Sequence, residues 1–326
     1  MSKRYAVISV GTNSVRLLLA DVAGDDPRAQ ITRSIGTRIG EGLGPDGSLG
    51  EEPMQRTLDA IAQLHRAVRG HYVRLFAIAT SALRRADNAR AFCDRVQELL
   101  SVPLRILSGD EEAAASYRGA ITAFGTLRGE HVGVADAGGG STEYAVGTGP
   151  LPERHVSCEI GAVRLTESVP KLGGRDGRVE PSAIDRAKAI ANEALAPLRE
   201  FAPIERLALV GGSATTAAAI VRKSKTITSV VVTRDELQNV LVRLCAMPLD
   251  ERKGVVGMKP QRADILPAGI IVLEAVLDIV KQDAATATTA DLLLGFLLQQ
   301  RDASGAAAGQ RSPVRAGSES RRGFRS

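Results

Sequence analysis

The chain has 326 residues, 44% hydrophobic and 24% charged, a globular mixture with enough apolar material for two domains. Trp is absent and aromatic residues make up 3%, which argues against stacking platforms for single-stranded nucleic acid. Of the formal charge of +5, residues 303–326 carry +4 (Arg311, Arg315, Arg321, Arg322 and Arg325 against Glu319), so the body is near neutral at +1 and no specific nucleic-acid partner is implied.

In chain order, residues 5–10, 15–22 and 31–39 predict three short strands in a meander, followed by a Gly-rich loop over 40–50. Met54, Leu58, Ile61, Leu64 and Val68 recur at helical spacing, predicting a helix over 52–68. Next come a strand over 73–79, a helix over 88–100 with Asn88 as N-cap, and a strand over 104–107. A helix then starts after Ser108 and crosses toward Phe124. Strands over 132–135, 142–146 and 153–158 repeat the opening meander. A helix over 182–201 is expected to be capped by Ser182 with Asp185. A buried strand over 207–210 runs into Gly211-Gly212-Ser213 and an Ala-rich helix. Thr233 and Glu236 form a capping box before a helix over 237–244, and helices over 262–280 and 291–300 finish the ordered part. The expected division is a first lobe over 1–124, a second over 125–302 whose last helix packs back on the first, and a disordered basic tail over 303–326. Such a pattern belongs to a mixed α/β architecture.

Cys93, Cys158 and Cys245 lie far apart and form no metal-ligand spacing with His65, His71, His131 or His155, so free thiols in a reducing cytoplasm are expected. No signal-peptide pattern opens the chain, and Pro267 and Glu274 break its longest apolar helical stretch, so no membrane association is expected.

One internal echo organises the chemistry. Ile8-Ser9-Val10-Gly11-Thr12-Asn13-Ser14 returns 127 positions later as Ala135-Asp136-Ala137-Gly138-Gly139-Gly140-Ser141. Each copy is a strand, a Gly-containing turn and a hydroxyl residue opening a second strand. Alone, either loop reads as a hairpin turn. Repeated at one offset and joined by Gly212 and Ser213, the loops suit two related lobes that aim backbone amides at a shared anion.

Ser108-Gly109-Asp110-Glu111-Glu112 supplies a carboxylate beside these loops. Ser108 and Glu111 account for a capping box, which leaves Glu112 available to orient or deprotonate a water. Asp136 and Glu143 flank the second Gly loop; they suit hydrated Mg²⁺ or, equally, carboxylates that cap turn amides. Arg16, Arg38, Arg84, Arg85, Arg164, Lys171 and Arg262 are the candidate cations, with Arg84 and Arg85 singled out because they follow Thr80-Ser81 at the end of a strand.

Together these residues resemble the exopolyphosphatase/guanosine pentaphosphate phosphatase family, part of the actin-like superfamily of duplicated ribonuclease-H-like lobes. The likeness runs from about Tyr5 to about Gly295. It includes Gly11-Thr12-Asn13-Ser14, Gly40-Glu41-Gly42-Leu43, Ala79-Thr80-Ser81-Ala82-Leu83-Arg84, Ser108-Gly109-Asp110-Glu111-Glu112-Ala113, Asp136-Ala137-Gly138-Gly139-Gly140-Ser141-Thr142-Glu143, Gly211-Gly212-Ser213 and Arg262-Ala263-Asp264. The resemblance implies two α/β lobes around a cleft and Mg²⁺-dependent attack of water on a terminal phosphoryl group. It implies Glu112 as the catalytic carboxylate and Asp136 and Glu143 as metal ligands. The implied phosphate-binding groups are Gly11, Thr12, Asn13, Ser14, Thr80, Ser81, Arg84, Gly138, Gly139, Gly140, Ser141, Thr142, Gly212 and Ser213.

Inorganic polyphosphate is the expected substrate, with guanosine pentaphosphate, and so the stringent response, as the alternative. A homodimer is compatible with the family. An actin-like kinase or ATPase and a catalytically impaired polyphosphate or alarmone sensor are the rivals from other classes. Three departures bear on activity. Ser9 stands where the family has Asp, a weaker Mg²⁺ anchor. Leu293 stands at the family's Arg position. The extra helical domains of longer members do not follow the two lobes, which bears on processivity and on dimer grip.

Overall fold

The computed structural model describes residues 4–23, 27–43, 47–125, 127, 129–174, 177–201 and 203–309, with side chains to Ser304. The first sheet is built from β1 (Arg4–Val10), β2 (Ser14–Asp21) and β3 (Arg28–Gly36), then, after α1 (Glu51–Arg66), β4 (Arg74–Ala79). The short α2 (Ser81–Arg84) and α3 (Ala89–Leu100) lead to β5 (Leu104–Ile106), and α4 (Gly109–Ala120) crosses to the second lobe. There, β6 (Val132–Ala137), β7 (Thr142–Gly147) and β8 (Arg154–Cys158) repeat the meander. They are followed by α5 (Ala162–Ser168), α6 (Pro181–Ala194), β9 (Arg206–Val210), α7 (Gly211–Val221), β10 (Ser229–Thr233), α8 (Arg234–Cys245), α9 (Leu249–Lys253), α10 (Leu266–Ile279), β11 (Ala284–Thr288) and α11 (Leu292–Gly309).

The duplication is visible in the strand orders, β3-β2-β1-β4-β5 in one sheet and β8-β7-β6-β9-β11-β10 in the other. In both, the first three strands pair antiparallel and the next two join in parallel. Only the second sheet adds an antiparallel edge, β10 on β11. β1 and β6 are buried throughout or nearly so, as central strands covered on both faces must be. Separate apolar cores fill the two lobes.

Two helices exchange lobes. α4 leaves the first sheet and packs on β6, β7, β8 and β9, while α11 leaves the second and packs on β1, β2 and α4. They cross where Gly119 and Gly295 meet: a Cβ on Gly295 would strike the Ala115 carbonyl oxygen and one on Gly119 the Asp291 carbonyl. The absence of side chains lets the backbones touch, so the C-terminal half of α4 is seated against α11.

Several local expectations are corrected. Ser182 does not cap α6, which starts at Pro181 behind Glu180; a Pro at the first position already fixes φ there. α6 ends at Ala194, and a 3₁₀ turn covers Ala196–Glu200. Asn88 does not cap α3; its amide clasps the Leu49 backbone, accepting at 2.9 Å and donating at 3.0 Å. α10 begins at Leu266, not at 262, because Pro267 suits only a first turn. The last helix continues to Gly309, so residues 303–309 extend α11, and the remaining tail lies outside the described residues. Among the described residues, no helix is long and apolar enough to cross a membrane.

Candidate active site

Both Gly loops close with the same bond: Gly11 N–H donates to the Ser14 carbonyl and Gly138 N–H to the Ser141 carbonyl, each at 3.0 Å. That bond occupies the first amide of each turn. The amides of residues 12, 13, 139 and 140 have no backbone acceptor among the described residues. The loops abut across the lobes, since a Cβ on Gly140 would lie 2.9 Å from Thr12 Oγ1 and 2.7 Å from Ser81 Oγ. Asn13, with both side-chain amide atoms, and Ser81, with its hydroxyl, are buried there without hydrogen-bond partners. Buried polar groups are rarely left so, and an anion in the cleft would satisfy the donors among them.

Glu112 lines this cleft together with both Gly loops, Thr80, Ser81, Asp136, Gly211, Gly212, Arg16 and Arg262. Its neighbour Glu111 is spent on the cap, where Ser108 Oγ accepts from the Glu111 N–H at 3.1 Å and the Glu111 carboxylate accepts from the Ser108 N–H at 2.9 Å. Arg84 holds Glu112: its Nη1 donates to Glu112 Oε2 at 2.5 Å and to the Leu107 carbonyl at 3.0 Å. Nη2 of Arg84 reaches Ser141 Oγ at 3.4 Å and lies 3.6 Å from Glu143 Oε1. Burial pushes the Glu112 carboxyl up to about 7, against the pull of Arg84, with Asp136 and Glu159 adding repulsion.

Asp136 is the last residue but one of β6 and pairs in register with Glu143 on β7. Ser116, one helical turn after Glu112 on α4, donates to Asp136 Oδ2 at 2.5 Å. The other oxygen faces Gly211, whose φ of +90° and lack of Cβ make room for it; a Cβ there would lie 2.7 Å from Asp136 Oδ1. Burial, then the charge of Asp291, raises Asp136 to about 6. Glu143 lies deeper. Ser157 Oγ donates to it at 2.8 Å, and burial with the nearby Glu112 and Asp136 drives its pKa well above the ordinary range.

Two expected phosphate-binding side chains turn away from the cleft. The Thr142 hydroxyl donates to the Ile160 carbonyl at 2.6 Å, bracing the end of β7. Ser213 is buried beneath the cleft, packed against Gly269. Gly212 lines the cleft, and its bare backbone is covered by the Arg262 guanidinium. Arg262 has no carboxylate partner among the described residues, and burial with the nearby Arg16 lowers its pKa to about 10. Of the candidate cations, Arg262 and Arg16 line the cleft itself. Ser116 is an addition, and its spacing of four from Glu112 was the available signal.

Among the described residues, no three Asp, Glu, His or Cys side chains gather as a metal cage. Mg²⁺ asks for less, commonly one or two carboxylates with water and substrate oxygens. Asp136, at the cleft wall, fits that demand. Glu143 fits it less well, being engaged by Ser157 and Arg84.

A family model described as the Ppx/GppA phosphatase family matches residues 27–300. Exopolyphosphatase 2 of Mycobacterium tuberculosis is 30% identical, with 90% of this chain and 98% of that protein covered. A guanosine-5'-triphosphate,3'-diphosphate pyrophosphatase of Vibrio parahaemolyticus is 28% identical over 92% of this chain and 60% of its own. In a bifunctional 3-dehydroquinate synthase/phosphatase of Fusobacterium nucleatum, 28% identical over 90% of this chain, the match spans about half of the relative, 46%. Among solved structures, an exopolyphosphatase from Cytophaga hutchinsonii superposes with a TM-score of 0.83 at 26% identity, covering 92% of this chain and 98% of that one.

Proposed function

Because the chain belongs to the Ppx/GppA phosphatase family, we propose that it is an exopolyphosphatase, releasing orthophosphate from the ends of inorganic polyphosphate. The observation that carries the reading is Glu112, a buried carboxylate in the same cleft as two facing Gly loops. The terminal phosphoryl oxygens accept from the free amides of residues 12, 13, 139 and 140. Glu112, aimed by Arg84, takes a proton from the attacking water as its oxygen bonds to phosphorus. The bridging P–O bond breaks, and the shortened chain leaves with the electron pair. Arg16 and Arg262 balance the charge that builds on the phosphoryl oxygens and leaving group. Mg²⁺, when bound, would add positive charge to those oxygens, and Asp136 would hold it. Glu143 orients Arg84 from below.

Polyphosphate is put first on the likeness to the mycobacterial exopolyphosphatase, 30% identical; the Vibrio pyrophosphatase, at 28% identity, keeps guanosine pentaphosphate as the second reading. A cytoplasmic location belongs to the same proposal, supported by three cysteines that form no disulfide. The test is orthophosphate release from long-chain polyphosphate, tripolyphosphate and guanosine pentaphosphate, each with Mg²⁺ and with chelator. Polyphosphate is expected to be hydrolysed fastest, and only with Mg²⁺. Faster release from guanosine pentaphosphate would favour the second reading, and no release from any of the three would overturn both.

A further inference from the structure

The duplication makes the two halves of the cleft comparable position by position. Ser9 on β1 pairs with Arg16 on β2, and Asp136 on β6 pairs with Glu143 on β7. Both members of the first pair lie 127 positions before their counterparts. Directly opposed residues of an antiparallel pair present their side chains on one face. The second lobe therefore sets two carboxylates where the first sets a hydroxyl and a guanidinium.

Arg16 has no acid opposite it on its own sheet. Its partner is Asp291, the residue before α11, which accepts from Arg16 Nη2 and is the one hydrogen-bond partner of that guanidinium among the described residues. Asp291 is buried, and its other oxygen accepts from the Leu293 N–H at 3.2 Å, capping the helix. Arg16 also lines the cleft beside Ser9 and Asp136, near enough to Asp136 for the opposite charges to attract. A guanidinium so situated can turn to Asp291 at the start of α11 or to Asp136 on β6. Turning to Asp136 would neutralise the carboxylate suited to a cation and obstruct the cleft.

We infer that Asp291 is a positioning residue that holds Arg16 away from Asp136, where the guanidinium serves as an anion donor. The inference deepens the proposed reading and rests on the cleft being a phosphate site. It adds a difference between side chains to the amide cradle that both lobes share: where the second lobe sets the acidic pair Asp136 and Glu143, the first presents Ser9 and the cationic Arg16.

The test separates this role from the cap, because Asn caps a helix about as well as Asp but carries no charge. Tripolyphosphate binding is measured by calorimetry in chelator, so metal affinity does not enter, alongside kcat and KM with Mg²⁺. Asp291→Asn is expected to weaken binding about tenfold, a size in keeping with a charge-assisted contact. Arg16→Gln should lose a similar amount, and the double variant no more than Arg16→Gln alone. Wild-type binding by Asp291→Asn, or additive losses in the double variant, would each overturn the inference. If the unmodified protein binds tripolyphosphate without hydrolysing it, the hydrolase reading falls while the binding comparison still decides the role of Asp291. No binding at all would overturn both.

Discussion

At Glu112 burial and Arg84 act in opposite directions, and burial wins. A folded-state pKa of about 7, against 4.5 for an ordinary Glu, means the folded protein holds a proton there that the unfolded chain releases between those values. Two pH effects of opposite sign follow. The water-activating form of Glu112 is the deprotonated one, so kcat/KM for polyphosphate should climb with pH and level off above about 7. Stability should fall over the same climb, because ionising a buried carboxyl is favoured in the unfolded state. A kcat/KM profile flat from pH 5.5 to 8 would remove Glu112 as the base. Glu112→Gln keeps the shape and loses the basicity; it should cut kcat by roughly 10²- to 10⁴-fold with polyphosphate still bound. Arg84→Ala should act differently, leaving two buried carboxylates without their cation. It should move the limb of the profile to higher pH and destabilise the fold by about 3–5 kcal/mol, read by denaturant titration.

The elements that carry these residues were partly legible in the sequence, for reasons that can be located. β1, β2, β6 and β7 announce themselves through apolar runs bounded by Gly loops, and the capping boxes at Ser108 and Thr233 form as their spacing implies. β11 does not, since its Ala-Ala-Thr-Ala-Thr composition lacks the large β-branched apolar residues that signal a buried strand; the surrounding sheet makes it one. α5 is also silent, being seven residues held by the Gly138 and Gly139 carbonyls, which accept from the N–H groups of its first turn. The seat of Asp136 could be half read, because Ser116 lies one turn from Glu112, while Asp291 gives no local sign of its distant partner Arg16. The crossing of α4 and α11 is the feature that pattern reading misses altogether, since two glycines far apart in sequence matter only as a pair. Gly295→Ala should force the helices apart, costing about 1–3 kcal/mol or more, as overpacking does. Because α4 carries Glu112, kcat should fall as well; a fully active, unshifted variant would show that the junction tolerates a methyl group.

Over the whole molecule, charge is divided between a near-neutral body and a terminal segment of five Arg and one Glu after Gly309. The cleft proposed to take the substrate lies between lobes that are also tied by Arg38 Nη2 donating to Asp264 Oδ1 at 2.6 Å. Nothing in that arrangement requires the terminal cations for the chemical step, whereas a polyanion approaching from solution would feel them. Long-range attraction of this kind is screened over about 8 Å at physiological ionic strength and over about 30 Å in 0.01 M salt. Cutting inside α11 would confuse the matter, because Asp302 pairs with Arg118 and Ser304 accepts from Arg74. A chain ending at Gly309 avoids both losses. Its KM for long-chain polyphosphate should rise severalfold at low salt and converge on the full-length value at high salt, with kcat unchanged throughout. A lowered kcat would assign the segment to the chemistry, and an unchanged KM at low salt would deny it any part in capture.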